Sequence, residues 1–204
     1  MAYTRRRKTS SSTTIAKKSK THSIDGVTYK SKALMKLHET WTKDELVESF
    51  SLPSVQDEKE NKNIKYGAKK CVINNLVFDS VMEGRYYVML LHLIQEGTVT
   101  SFERQVTFIL QDKYRNSFTG KAISAIKYIA DFVLIMPDGA QVVIDVKGIE
   151  TADFLLKKKM FGYRYKEYQF MCVQWSERDK EWQDLEDIKA RRRKNKKEKN
   201  RDAA

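Results

Sequence analysis

The stretch IADFVLIMPDGAQVVIDVKG, residues 129–148, limits the fold more than any other part of the chain. Two apolar runs rich in β-branched residues flank Pro137-Asp138-Gly139, which predicts a strand pair over 126–136 and 140–147. FVLIM and VVI are apolar at successive positions, the mark of strands buried on both faces. Yet Asp131, Asp145 and Lys147 fall inside this pair. Charge there is costly unless something holds it.

The turn decides which charges meet. A two-residue Asp138-Gly139 turn would put Asp131 and Asp145 on opposite sides of the sheet. A three-residue Pro137-Asp138-Gly139 loop would pair residue 136 with 140, and so Asp131 with Asp145. Pro137 suits the loop better than the end of a ladder. In that register Lys147 shares their face. Directly opposed carboxylates repel, and a hard divalent cation between them would remove the conflict. The competing reading places both carboxylates at an edge, facing water, with Lys147 as an ion-pair partner.

The rest of the chain reads as helix, strand, strand pair, helix, strand, an α/β domain with a mixed β-sheet flanked by helices. KKCVINNLVFDS predicts a hairpin turning at Asn74-Asn75. A helix follows over 79–97, capped by Asp79 or Ser80 and closed by Gly97. VTSFERQVTFIL reads as a strand, QDKYRNSFTGKAIS as a loop, TADFLLKKKMFGYRY as a helix and EYQFMCVQW as the last strand. Residues 23–64 form an N-terminal extension: a strand-like SIDGVTYKS, a helical ALMKLHETWTKDELVESF and a polar linker. SIDGVTYKSKALMKLHE also aligns weakly with VINNLVFDSVMEGRYYV, matching Tyr29 to Phe78 and Ser31 to Ser80. Chance and a repeated docking element are both open readings of that match.

Charge is informative once it is placed. The chain carries a formal +12, but residues 1–20 hold seven Lys/Arg and no acid, and residues 190–204 hold eight Lys/Arg against two acids. The body is near neutral. The ends, 1–22 and 177–204, read as basic, largely disordered tails, the second in part helical. Such tails attract phosphate without choosing sequence, or simply solubilise the chain. No apolar run approaches the roughly 20 residues of a membrane helix, so no membrane association is expected. The two cysteines, Cys71 and Cys172, read as reduced core thiols, which fits a cytoplasmic protein. His22, His38 and His92 show no metal pattern.

Ala130-Asp131, thirteen residues, then Asp145-Val146-Lys147 resembles the signature of the PD-(D/E)XK nuclease superfamily. The residue before the first aspartate is alanine here, not proline. The match is closer to a phage-borne branch, a resolvase-like domain of unknown function, on four motifs: KYGAKK, FDSVMEGR, IADF and DVKG. The resemblance covers residues 65–176 and implies a restriction-endonuclease-like core. It implies a Mg²⁺ site, with Mn²⁺ substituting, held by Asp131, Asp145, the carbonyl of Val146 and Glu83 directly or through water. Lys147 would position or deprotonate the attacking water, or stabilise developing charge. Gln105 would support the ligands, or serve only as an ordinary strand residue.

The implied activity is metal-dependent endonucleolytic hydrolysis of DNA in phage recombination or replication, with branched DNA such as a Holliday junction as substrate and a homodimer as the working form. Lys157, Lys158 and Lys159, with Arg191, Arg192 and Arg193 in the C-terminal tail, are the candidate DNA contacts. A solvated helix face is the plainer reading of the lysines. Two other functions stay open: a DNA-binding accessory protein with an unused site, and a homing or restriction-type enzyme. Charge alone does not separate DNA from RNA, although no familiar RNA-binding motif is present.

Overall fold

The computed structural model of the chain describes residues 20–56, 70–147 and 149–202. The expected N-terminal tail, except Lys20–His22, and the expected linker beyond Gln56 lie outside the described residues.

The strand pair is β9 (Ile126–Ile135) and β10 (Gln141–Val146), and it takes the three-residue loop. Gln141 pairs with Ile135 and Ile144 with Phe132. Met136 N–H donates to the Ala140 carbonyl and Gly139 N–H to the Met136 carbonyl, both at 2.9 Å. Gly139 closes the loop at φ +82°, where a side chain would be strained.

This pair is the middle of a five-stranded mixed sheet. β6 (Ser101–Gln111) flanks β9 antiparallel, β11 (Gln169–Ser176) flanks β10 parallel, and β12 (Glu181–Asp184) is the far edge. One face is covered by a helix running Val81–Gln95, the other by helices at Ala152–Arg164 and Leu185–Asp202. In chain order, after α1 (Lys32–Thr42), these are α2, α3 and α4. The protein is therefore mixed α/β, with helices on both sides of the sheet. Tyr86 and Leu90 of α2 pack on Phe132, Leu134 and Ile144. Phe154 and Phe161 of α3 pack on Phe108, Tyr128 and Val143. No helix among the described residues is long and apolar enough to cross a membrane.

The sheet changes face at one place. Tyr128 and Ala130 lie with the α3 core, yet Phe132 and Leu134 lie with the α2 core. All four would share a face in a regular strand. On β6 the same switch separates Phe102 from Phe108. The β6–β9 ladder skips the pair between them, Gln105 opposite Asp131, and Gln105 has φ +53°. This irregularity turns Asp131 out of the ordinary alternation.

The N-terminal extension is part of the core. β1 (His22–Ile24) and β2 (Val27–Tyr29) form a hairpin turning at Asp25-Gly26, then Ser31 caps α1. β4 (Cys71–Ile73) and β5 (Leu76–Phe78) turn at Asn74-Asn75, then Ser80 caps α2. The weakly aligned segments are thus the same hairpin–cap–helix unit used twice, with Tyr29 and Phe78 buried at matching places. Their turns share two consecutive positive φ angles, which Asp-Gly and Asn-Asn both tolerate. Helix α1 stops at Thr42, short of the expected Phe50. Residues 50–51 instead form β3 (Phe50–Ser51), paired with β4, and the Asn74 carboxamide bonds Leu46, Glu48 and Ser49.

The C-terminal segment also departs from expectation. Residues 177–204, read as a tail from their charge, supply β12 and α4. Trp182 stacks edge-on against Trp175 and Tyr86, and Leu185 and Ile188 are buried. A few apolar side chains outweigh the charge run that follows them. The loop 111–124, expected without structure, holds a short hairpin, β7 (Tyr114–Arg115) with β8 (Ala122–Ile123).

Candidate active site

The β9–β10 ladder ends at Ile144–Phe132, and the charged residues collect just beyond. Val146 N–H donates to Asp131 Oδ2 at 2.7 Å. The side chain of Asp131 has taken over an acceptor role that a backbone carbonyl would fill in an unbroken ladder. Lys147 N–H turns the other way, to the Val173 carbonyl of β11. β10 therefore separates from β9 at this end while staying tied to β11.

Asp145 is 1% exposed. Tyr128 donates to its Oδ1 at 2.7 Å. Lys147 Nζ stands 3.1 Å from its Oδ2, yet Oδ2 has no hydrogen-bond partner, so the ammonium serves it as a charge and not as an aligned donor. Burial pushes the Asp131 carboxyl up to about 7, and the charges of Asp145 and Glu83 add to the effect. Burial alone would lower the Lys147 ammonium, but Asp145 and then Asp131 outweigh it and hold it above its ordinary value. Lys147 keeps its proton in this setting, which suits charge stabilisation better than proton abstraction.

Glu83 stands on the first turn of α2 and is buried. Ser80 Oγ accepts from Glu83 N–H at 3.1 Å and donates to Glu83 Oε1 at 3.0 Å. Burial raises the Glu83 carboxyl against the lowering effect of that Ser80 bond. It is near enough to act on Asp131 through charge. Its helix is fitted tightly: a Cβ on Gly84 would come within 2.6 Å of Cys71 Sγ and 2.8 Å of Ile73 Cδ1. Among the described residues no group of three or more His, Cys, Asp or Glu is arranged to hold a metal ion, and Glu83 acts on Asp131 through charge. What converges is two carboxylates. The buried Oδ2 of Asp145, which accepts no aligned hydrogen bond, and the raised carboxyl of Asp131 are the surroundings a hard cation would relieve, and oxygen donors are what Mg²⁺ or Mn²⁺ takes.

The other expected residues are scattered. Gln105 is exposed and stands opposite Asp131 in the skipped pair. Lys157 pairs with Asp153 and Lys158 with Glu186, each at 3.0 Å, while Lys159 is exposed. The Lys158 pair ties α3 to α4. Arg191 donates to Gln183, and Arg192 and Arg193 are exposed on α4. Both cysteines are buried free thiols, and burial pushes each up to about 12. Two further residues carry no signal of their role in the sequence. Tyr128, three residues before Asp131, looks like core and is core, yet its hydroxyl fixes Asp145. Arg104, beside Gln105, lies over Phe78 at 4.0 Å and within charge range of Glu83.

The sequence pattern of one protein family matches residues 63–199, most of the chain and all of this site. The chain belongs to that family, Protein of unknown function (DUF1064). The DUF1064 match begins before β4 and runs into α4, so it takes in β12 and most of α4 along with the central sheet. No curated protein matches the chain.

Proposed function

We propose that this DUF1064 protein is a metal-dependent endonuclease that hydrolyses phosphodiester bonds in DNA, on a restriction-endonuclease-like core. The order α2, β6, β9, β10, α3, β11, with β9–β10 antiparallel and β10–β11 parallel, supports that core. The observation that carries the reading is the buried Asp145 Oδ2 with no hydrogen-bond partner, close to a second carboxylate and 3.1 Å from a lysine.

Asp131, Asp145 and the Val146 carbonyl would hold a Mg²⁺ ion, with Mn²⁺ as a substitute. Such an ion, when bound, acidifies a water and neutralises charge on the phosphate. The chain's own groups do the rest. Tyr128 fixes the rotamer of Asp145 through its hydroxyl. Asp131 holds the end of β10 through Val146 N–H. Glu83, steadied by Ser80, would complete the site directly or through water. Lys147, protonated, faces the negative charge that develops on a non-bridging phosphate oxygen.

The test is cleavage of supercoiled plasmid, linear duplex and a four-way junction with Mg²⁺, wild type beside Asp145→Asn. The expected result is metal-dependent cutting that the variant loses while its DNA binding persists. Equal cutting by the variant would overturn the site. Binding without cutting by the wild type would turn the reading to a DNA-binding accessory protein.

A further inference from the structure

The β6–β9 strands project past the sheet and end in the β7–β8 hairpin, whose tip carries Phe118. That ring is 97% exposed, more than any other large hydrophobic side chain described. A single exposed apolar residue ordinarily means little. This one differs because its loop is rigidly built. Asn116 Oδ1 accepts from Phe118 N–H at 3.0 Å and Thr119 N–H at 2.9 Å. Gly120 N–H donates to the Asn116 carbonyl and Asn116 N–H to the Lys121 carbonyl, both at 2.8 Å. Arg115 clamps the Gly120 carbonyl at 2.7 Å, and Gly120 takes φ +66° to close the loop. The backbone is ordered around a phenyl ring that touches little of its own protein.

The surroundings say what the ring is for. Residues 112–127 carry Lys113, Arg115, Lys121 and Lys127, all exposed, against one acid. That acid, Asp112, is already paired with Arg164 at 2.8 Å. The partner is therefore anionic as well as able to take an aromatic ring. Between the tip and the site, one face of β6–β9 is open: Thr107 opposite Ile129 and Ile109 opposite Lys127 are all exposed, while Phe108 and Tyr128 on the other face are buried. The open face begins at the skipped Gln105–Asp131 pair, and Ile126 lies about 17 Å from Asp131 at the usual rise of a strand. A duplex lying along this face would have phosphates at Lys127 and Lys121, a phosphodiester near Asp131, and a base step at Phe118.

We propose that Phe118 is a wedge that inserts between stacked bases of the bound DNA, with the β7–β8 cations gripping the flanking phosphates. The proposal rests on the nuclease reading for the identity of the anionic partner. Wedging by an apolar side chain unstacks a step and favours DNA that is already distorted. It would therefore select branched or mismatched sites over regular duplex, without reading sequence.

The test uses the full chain without divalent cations, so that nothing is cut. Wild type, Phe118→Ala and Phe118→Trp are titrated into a four-way junction and a linear duplex, each carrying 2-aminopurine. Wild type should raise 2-aminopurine fluorescence on the junction as the bases unstack. Phe118→Ala should lose that rise and bind the junction about tenfold more weakly, with duplex binding nearly unchanged. Phe118→Trp should keep both, with its own fluorescence quenched by stacking. Phe118→Ala matching wild type in fluorescence and affinity would overturn the wedge while leaving the nuclease reading intact. A wild type that binds no DNA would overturn both. A wild type that binds no DNA but self-associates through Phe118 would instead make the tip a protein-binding element.

Discussion

Tyr128 and Asp145 are joined by a 2.7 Å hydrogen bond across the middle of the sheet, between β9 and β10, with both side chains buried. The tyrosine holds one oxygen of the carboxylate, and the other faces the Lys147 ammonium at 3.1 Å. Tyr128→Phe keeps the ring's packing and leaves a buried carboxylate oxygen unsatisfied, at a cost of about 1–3 kcal/mol. With Asp145 held by Lys147 alone, Mg²⁺ affinity and cleavage should each fall roughly 10–100-fold. Calorimetric titration of Mg²⁺ alongside chemical denaturation checks both. Unchanged metal affinity in a destabilised variant would leave Tyr128 a purely structural partner.

Gly84 sets the depth at which α2 docks, and so the place of Glu83 beside it. Alanine there would meet Cys71 Sγ and Ile73 Cδ1 well inside van der Waals distance. Both neighbours are buried and have little room to yield. Gly84→Ala should therefore destabilise the fold by about 1–3 kcal/mol despite better helix propensity, and lower cleavage further than stability explains. Cys71→Ala removes the nearer clash, so the double variant should recover part of the stability and part of the cleavage. A thermal melt of the three variants reads the stability half of this directly.

What the sequence shows of this protein is what is locally encoded. Pro137-Asp138-Gly139 specifies its loop and hence the approach of Asp131 to Asp145, because turn chemistry acts over three residues. Ser80 and Gly97 bound α2 for the same reason. The face switch at Gln105 is not legible, since glutamine does not advertise a positive φ and the strain is imposed by the sheet around it. β12 and α4 are hidden by the charge run that follows, although Trp182, Leu185 and Ile188 are the signal. The β7–β8 tip reads as loop because Asn, Ser, Thr and Gly crowd it. Those residues build the hairpin, with the Asn116 side chain standing in for a backbone acceptor.

The C-terminal basic run can be removed without touching the core. Leu185 and Ile188 pack inward and Lys189 pairs with Glu150, so a chain ending at Lys189 keeps that packing and that ion pair. Residues 190–204 take away eight Lys/Arg. Truncation after Lys189 should leave the unfolding midpoint within a few degrees, weaken DNA binding and flatten its salt dependence. Each phosphate that the shortened chain no longer neutralises lowers the slope of log K against log salt by about 0.9. Binding isotherms at several salt concentrations measure that slope, and an unaltered one would show that α4 beyond Lys189 does not reach phosphate.

Asp131 makes the metal-free protein sensitive to pH in a defined direction. Its carboxyl lies near 7 in the folded protein, raised first by burial and then by Asp145 and Glu83. In the unfolded chain it returns to about 3.9. Between those values the folded form holds a proton that the unfolded chain has released. Folding is then favoured at low pH, and this contribution is lost as pH rises through about 7. Asp131→Asn keeps an oxygen to accept from Val146 N–H and removes the buried charge. Without divalent cations the variant should be more stable than wild type by about 1–2 kcal/mol at pH 8, with the difference shrinking towards pH 4. Mg²⁺ should act the opposite way, because it competes with the proton for the same oxygens: wild type gains more from it at pH 8 than at pH 5, and Asp131→Asn gains little at either. Urea unfolding across that pH range, with and without Mg²⁺, gives all four comparisons. A wild type that Mg²⁺ stabilises no better than the variant would mean that Asp131 does not hold the ion.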